Sequence, residues 1–196
     1  GELRDADGKQ FMKEMLAGAR NWGSGSIQYR WLNGEHGRIE NKIAYYRKSG
    51  DAVIAVGYYN AHATPDEARA MLAKAVDAIR QDPKVAFARI NDINGGFVHD
   101  DVYVFVVGID DHVMYASGGT PRLVGRKVDK VTDIGGKRIF PESVEVAKAA
   151  AKGTGELHYT WLNPVTRRQE SKITYLERVG DYAVGVGYYA PQPGKR

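Results

Sequence analysis

The feature that most constrains this chain is an internal repeat. At an offset of 130, residues 25–59 lie against 155–189 without a gap, and 16 of the 35 positions are identical. The identities include Tyr29/Tyr159, Trp31/Trp161, Asn33/Asn163, Lys42/Lys172, Tyr45/Tyr175 and Asp51/Asp181. The closing Gly57-Tyr58-Tyr59 recurs as Gly187-Tyr188-Tyr189. Chance does not produce this. One structural unit is used twice, and any fold proposed for the chain must hold both copies.

Each copy reads as a helix followed by a meander. Phe11, Met12, Met15, Leu16 and Ala19 fall on one helical face, and Gly23 and Gly25 break the helix. Three strand-like runs follow at 26–32, 39–47 and 51–59, separated by Asn33-Gly34 and Ser49-Gly50-Asp51 turns. In the second copy the spacing predicts a helix over 142–152, stopped by Gly153, and strands over 156–162, 169–178 and 181–189. Between the copies, Thr64, Pro65 and Glu67 form a capping-box signature ahead of an apolar face of Met71, Leu72, Ala75, Val76 and Ile79. A short helix over 84–90 and a hairpin of 102–109 with 112–116 complete the pattern. The second copy is thus preceded by a helix and two strands that the first copy lacks. We expect two α+β modules with antiparallel sheets, at 1–61 and 62–196, joined by the 64–81 helix, the first module being incomplete.

Composition narrows the function. The 196 residues carry 28 Lys+Arg against 24 Asp+Glu, a net charge of +4, with no block of five or more cations, so no nucleic-acid footprint is expected. Cysteine is absent, which removes disulfide scaffolds, thiol catalysis and cysteine-ligated zinc. The longest apolar runs, 102–107 and 53–56, are too short to span a bilayer. The histidines are scattered and form no H-E-x-x-H pair. Asp5-Ala6-Asp7-Gly8 opens like a calcium loop, but Leu16 stands where the closing glutamate would be. Ser24, Ser26 and Ser117 sit in no nucleophile elbow. We therefore expect no catalytic residue, no metal and no cofactor.

The motif order resembles the Cache domain, a PAS-like extracytoplasmic sensor fold, in its type 2 branch. The residues that carry the resemblance are Asn91-Asp92-Ile93-Asn94-Gly95-Gly96-Phe97-Val98, then Asp101-Val102-Tyr103-Val104-Phe105-Val106. Leu123-Val124-Gly125, Trp161-Leu162-Asn163-Pro164, Lys172, Tyr175, Val179-Gly180-Asp181 and Gly185-Val186-Gly187 continue it in order. It covers roughly 64–189 as one complete module and 3–59 as the C-terminal part of another. The resemblance implies a periplasmic, ligand-binding sensor module, soluble or part of a membrane receptor whose signalling domains lie outside this chain. It also implies small carboxylate ligands such as acetate, pyruvate or lactate. Two positions depart from the pattern: Ser117 stands where relatives usually carry His, and Gly34 stands where the second copy has Pro164.

A carboxylate needs a cation and hydroxyl donors converging in an apolar recess. The candidates are Tyr103, Phe105, Tyr115, Ser117, Tyr159, Trp161, Lys172 and Tyr175, with Lys172 supplying the cation. Alternation puts Tyr103 and Phe105 on one strand face and Tyr159 with Trp161 on another. Each candidate has a plainer reading: Lys172 as a solvent-facing strand lysine, Trp161 and Tyr175 as core. The alternative for the whole chain is a structural or interaction module with a vestigial pocket. A three-strand first module also leaves bare edges, which invite pairing with another chain, hence a homo-oligomer, or with the second module.

Overall fold

The computed structural model describes residues 3–34, 37–60, 62–150 and 153–190. The chain divides into two compact units, Gly1–Ala61 and His62–Arg196.

In the first unit, α1 (Phe11–Trp22) precedes β1 (Ser24–Asn33), β2 (Arg38–Ser49) and β3 (Ala52–Asn60), an antiparallel sheet in the order β1-β2-β3. The amphipathic spacing of α1 buries Phe11, Met15 and Ala19 against one sheet face. Phe11 stacks on Tyr29 at 4.0 Å between ring centroids. The Asp5 carboxylate accepts the backbone N–H groups of Asp7, Lys9 and Arg30, which pins the entry loop to β1. The calcium-like loop is thus a backbone clasp.

The second unit holds a six-stranded antiparallel sheet. Helices α2 (Pro65–Gln81) and α3 (Pro83–Asn91) come first, then β4 (Val98–His99), β5 (Val102–Gly108) and β6 (Met114–Ser117). Helix α4 (Ile139–Ala149) and the meander β7 (Gly155–Leu162), β8 (Gln169–Val179) and β9 (Tyr182–Tyr189) follow. The spatial order is β4-β5-β9-β8-β7, with β6 on the same edge of β5 as β4. Thr64 and Glu67 make the capping box that the sequence announces. Helices α2 and α3 cover one face of the sheet, over Val102, Val104, Val106, Tyr175, Val184 and Val186. Helix α4 covers the other, over Phe105, Val107, Leu157, Tyr159 and Leu176.

The apolar stripe of α2 is part of the second unit's own core. Two expectations shift. Helix α4 begins at Ile139, ahead of Pro141, because a proline within the first turn removes only an N–H that has no helical acceptor. The expected end of that helix, Lys152, lies outside the described residues. Strand β6 begins at Met114 and not at 112, because His112 takes a positive φ of 54° and the Asp111 carboxylate accepts Val113 N–H in the turn.

Candidate ligand-binding site

Register decides which side chains meet. Opposed residues of an antiparallel pair point to the same face. Tyr159 pairs with Lys172, and Lys172 with Tyr189. Two residues along, Thr174 pairs with Gly187, and Gly187 with Tyr103 on β5. These residues, with Phe105, occupy the face that α4 covers.

Lys172 is fully buried at their centre, so it is not a solvent-facing lysine. Its Nζ lies 3.7 Å from the Tyr103 ring centroid and 4.5 Å from that of Tyr189, and it donates to the Tyr189 hydroxyl at 3.4 Å. The hydroxyl in turn donates to Leu162 O at 2.9 Å. No carboxylate among the described residues comes within ion-pair distance of Nζ. Burial pushes the ammonium below the ordinary lysine value, against the opposing pull of Tyr103 and the more distant Asp101. Burial likewise raises the phenols of Tyr159 and Tyr189. Tyr159 and Thr174 share a hydroxyl hydrogen bond at 2.9 Å.

Two glycines make this arrangement possible by close approach. A Cβ at Gly187 would stand 2.4 Å from both Lys172 Cε and Thr174 Oγ1, so the lysine stem crosses β9 where there is no side chain. A Cβ at Gly119 would stand 2.3 Å from the Tyr103 ring, so the loop after β6 lies directly on that ring. Ser117, fully buried, opposes Phe105 and accepts Thr120 N–H at 3.0 Å, which fastens the same loop. Outside it opens a recess of about 320 Å³, lined by Gly119, Thr120, Arg122, Trp161 and Arg167 among others. Trp161 is half-buried, edge-on to Phe140.

Tyr115 and Tyr175 do not join this group, a correction to the expected ring of residues around Lys172. Tyr175 pairs with Val186 and is buried under α2, where Arg69 stacks over its ring at 4.5 Å. Tyr115 sits beside the bulge in the β5–β6 pair and packs against Phe87 and Tyr182 on that same opposite face. Strand alternation could have found Tyr175, since it is an odd number of residues from Lys172; the bulge displaces Tyr115 and has no signature in the sequence.

The residues missed by sequence reasoning form a buried polar cluster at one end of the sheet. The Asn163 amide donates to Glu170 Oε2 at 2.8 Å and to Asp101 Oδ2 at 3.1 Å. Asp101 Oδ1 accepts Ala63 N–H at 2.8 Å, and its Oδ2 meets His62 Nδ1 at 2.8 Å. The hydrogen bond to Asp101 raises the His62 pKa, partial burial opposes it, and Glu170 at 3.8 Å adds to the rise. The repeat held a signal: Asn33 and Glu40 are the counterparts of Asn163 and Glu170, and they too are buried and bonded, at 2.7 Å. Tyr189 also recurs, as Tyr59, which donates to Leu32 O at 2.6 Å.

Comparison with known proteins follows the same outline. Residues 58–190 match the family model described as Single Cache domain 2, and residues 1–101 match a second described as Cache domain. None of the curated proteins matches the chain. Among solved structures, a methyl-accepting chemotaxis protein from Vibrio parahaemolyticus RIMD 2210633 aligns at 19% identity and a TM-score of 0.54, over 63% of this chain and 86% of that one. A Cache chemosensory domain, solved for the structural basis of its carboxylic acid recognition, aligns at 20% identity and 0.53, over 64% and 92%. At those identities the likeness is one of fold: antiparallel sheets flanked by helices. With two family models each matching more than half of it, the chain belongs to the Cache domain family of sensor modules.

Proposed function

We propose that the second unit is an extracytoplasmic, periplasmic sensor module that binds a small organic acid of the acetate, pyruvate or lactate kind. It passes the signal to receptor domains outside this chain, with no catalytic step and no cofactor. Residues 1–61 are read as the C-terminal part of a second such module. The observation that carries the reading is Lys172: a buried ammonium with no carboxylate beside it among the described residues. Desolvating a charge without an opposite charge is costly, and an anionic ligand offsets that cost. The phenols of Tyr103, Tyr159 and Tyr189 surround it, and the chain on top is the Gly118–Leu123 loop. An acid entering past Trp161 meets Lys172 once that loop lifts from Tyr103.

A thermal-shift screen of C2 to C4 acids should find at least one that raises the melting temperature, since a ligand that binds only the native state stabilises it by mass action. Replacing Lys172 by Met keeps the stem and removes the charge. Affinity for that acid should fall by roughly 1.5–3 kcal/mol, the worth of a hydrogen bond to a charged group. That is about ten- to more than a hundred-fold. Lys42→Met should leave affinity unchanged. No response to any acid at millimolar concentration, or equal affinity of Lys172→Met and the wild-type protein, would sink the proposal.

The second reading, an interaction module with a vestigial pocket, has its own observation. The rings of Tyr103 and Tyr189 already enclose Nζ, and Lys42 makes a like contact with Tyr59, at 4.6 Å to its ring. On that reading the lysine–tyrosine pair is a packing device of the repeat, and Lys172→Met changes stability without touching any ligand.

A further inference from the structure

The repeat shows which residues of the second copy its fold does not need. The turn joining β7 to β8 is the turn joining β1 to β2: Arg167 N–H donates to Asn163 O at 2.9 Å, and Gly37 N–H donates to Asn33 O at 2.8 Å. Both closing residues take a left-handed backbone, with φ 60° at Arg167 and 64° at Gly37. That conformation is free of strain for glycine and strained for a residue with a Cβ. The first copy therefore has the residue the turn favours, and the second holds an arginine there against the strain. Pro164 likewise stands where the first copy has Gly34. Both replacements border one cavity, the recess of about 320 Å³ outside the Gly118–Leu123 loop. Strain that the local fold does not call for points to a use for the side chain.

The rest of the recess has a matching chemistry. Arg122 borders it from the loop and Arg167 from the turn. Neither guanidinium has a hydrogen-bond or ion-pair partner among the described residues. Trp161 and Leu162 supply apolar wall, and Pro121 and Pro164 make it rigid, so little has to be ordered when a ligand enters. We infer that this recess is a binding site of its own for a carboxylate on a flat apolar body, the class of the aromatic acids. The carboxylate accepts from Arg122 and Arg167, whose planar forks match its two oxygens. The ring lies against the Trp161 indole, which offers it an aromatic surface. The volume is at the small end of ligand pockets and has room for one ring with its carboxylate, whereas a two-carbon acid would leave most of it to water. Lys172, fully buried, is no part of the lining, so the site is separate from that lysine and is open while the loop lies on Tyr103. With one arginine on the loop and the other on the turn, a bound carboxylate ties the loop to the sheet.

Benzoate is the probe, with benzamide as its neutral counterpart. Calorimetric titration of the full chain at low ionic strength, where exposed charges are least screened, should show benzoate binding and benzamide not. Arg167→Gly installs the residue that the first copy uses, so the turn is kept and only the guanidinium is lost. Arg122→Gln keeps a hydrogen-bonding side chain and removes the charge. Each should weaken benzoate about five-fold or more, as the loss of a charge-assisted pair at an exposed site. Lys172→Met should leave benzoate affinity unchanged, and in that variant acetate should bind about ten-fold more weakly than benzoate or worse, for want of apolar area to bury. Bound benzoate should also slow hydrogen exchange at Leu123 and Val124, whose N–H groups close the loop on Thr120 and Pro121. No benzoate binding at millimolar concentration, equal affinity for benzamide, or equal affinity of Arg167→Gly and the wild-type protein overturns the inference. So does a loss with Lys172→Met as large as with the arginine variants, because benzoate would then sit at the buried lysine.

Discussion

Tyr45 and Tyr175 are the same residue at the same place in two copies of one repeat, yet the first is 54% exposed and the second 4%. The copies agree in what the meander determines for itself. In both, an Asn bonds a Glu across the first hairpin, a Lys reaches a Tyr on the third strand, and that Tyr donates to a backbone carbonyl of the first strand. They agree on the inner face as well, where α1 and α4 each bring a phenylalanine to the repeated tryptophan, Trp31 or Trp161. They part on the other face. An apolar pattern specifies which face of a sheet should be covered, but the cover is a separate piece of chain. Where it is present the face becomes a core, and where it is absent the same residues form a surface of the kind that marks an interaction site.

Equivalent substitutions in the two copies should sharpen this contrast. The largest difference is expected at Val186 and Val56. Val186→Asp places a carboxylate without a partner in a core and should cost the second unit about 4 kcal/mol or more. Val56→Asp should change the first unit by no more than about 0.5 kcal/mol, as exposed substitutions do. Denaturant unfolding followed separately in each unit measures both, and similar costs would mean that the first face is covered in solution. Next in size are the glycines. Gly187→Ala drives a Cβ into Lys172 Cε and Thr174 Oγ1 at 2.4 Å and should cost about 1–3 kcal/mol. At Gly57 the tightest contacts are 3.0–3.1 Å, and relief from a strand glycine offsets them, so Gly57→Ala should cost clearly less.

The smallest expected effect is a pH slope. His62 has its pKa raised in the folded second unit, chiefly by its hydrogen bond to Asp101. A raised folded pKa contributes stability that is fully present below the unfolded value of about 6.5 and is lost as pH rises through the folded one. The Asn33–Glu40 pair of the first unit lies in the repeat, which does not extend to His62, so the slope should appear only in the second unit. His62→Gln should remove it. Stability-against-pH curves for the two proteins that stay parallel through that range would show that Asp101 and Glu170 are held without the imidazolium.

The sequence by itself determined the meander, its turns and the capped helix, because these follow from local periodicity, turn chemistry and a repeat that reports the same unit twice. It also singled out Lys172, since a lysine inside an apolar strand and repeated as Lys42 is a local anomaly. What only the tertiary structure decided is which side chains stand together. Tyr189 and Gly119 reach Lys172 and Tyr103 through pairing and loop placement between residues far apart in the chain, and the β5–β6 bulge turns Tyr115 away. Asn163 joins Asp101, 62 residues away in the chain, to Glu170 with no local pattern to announce it. The covered and bare faces differ for the same reason. Burial is a relation between a residue and a distant segment, so Val56 and Val186, one residue type in one repeat, end at 72% and 0% exposure.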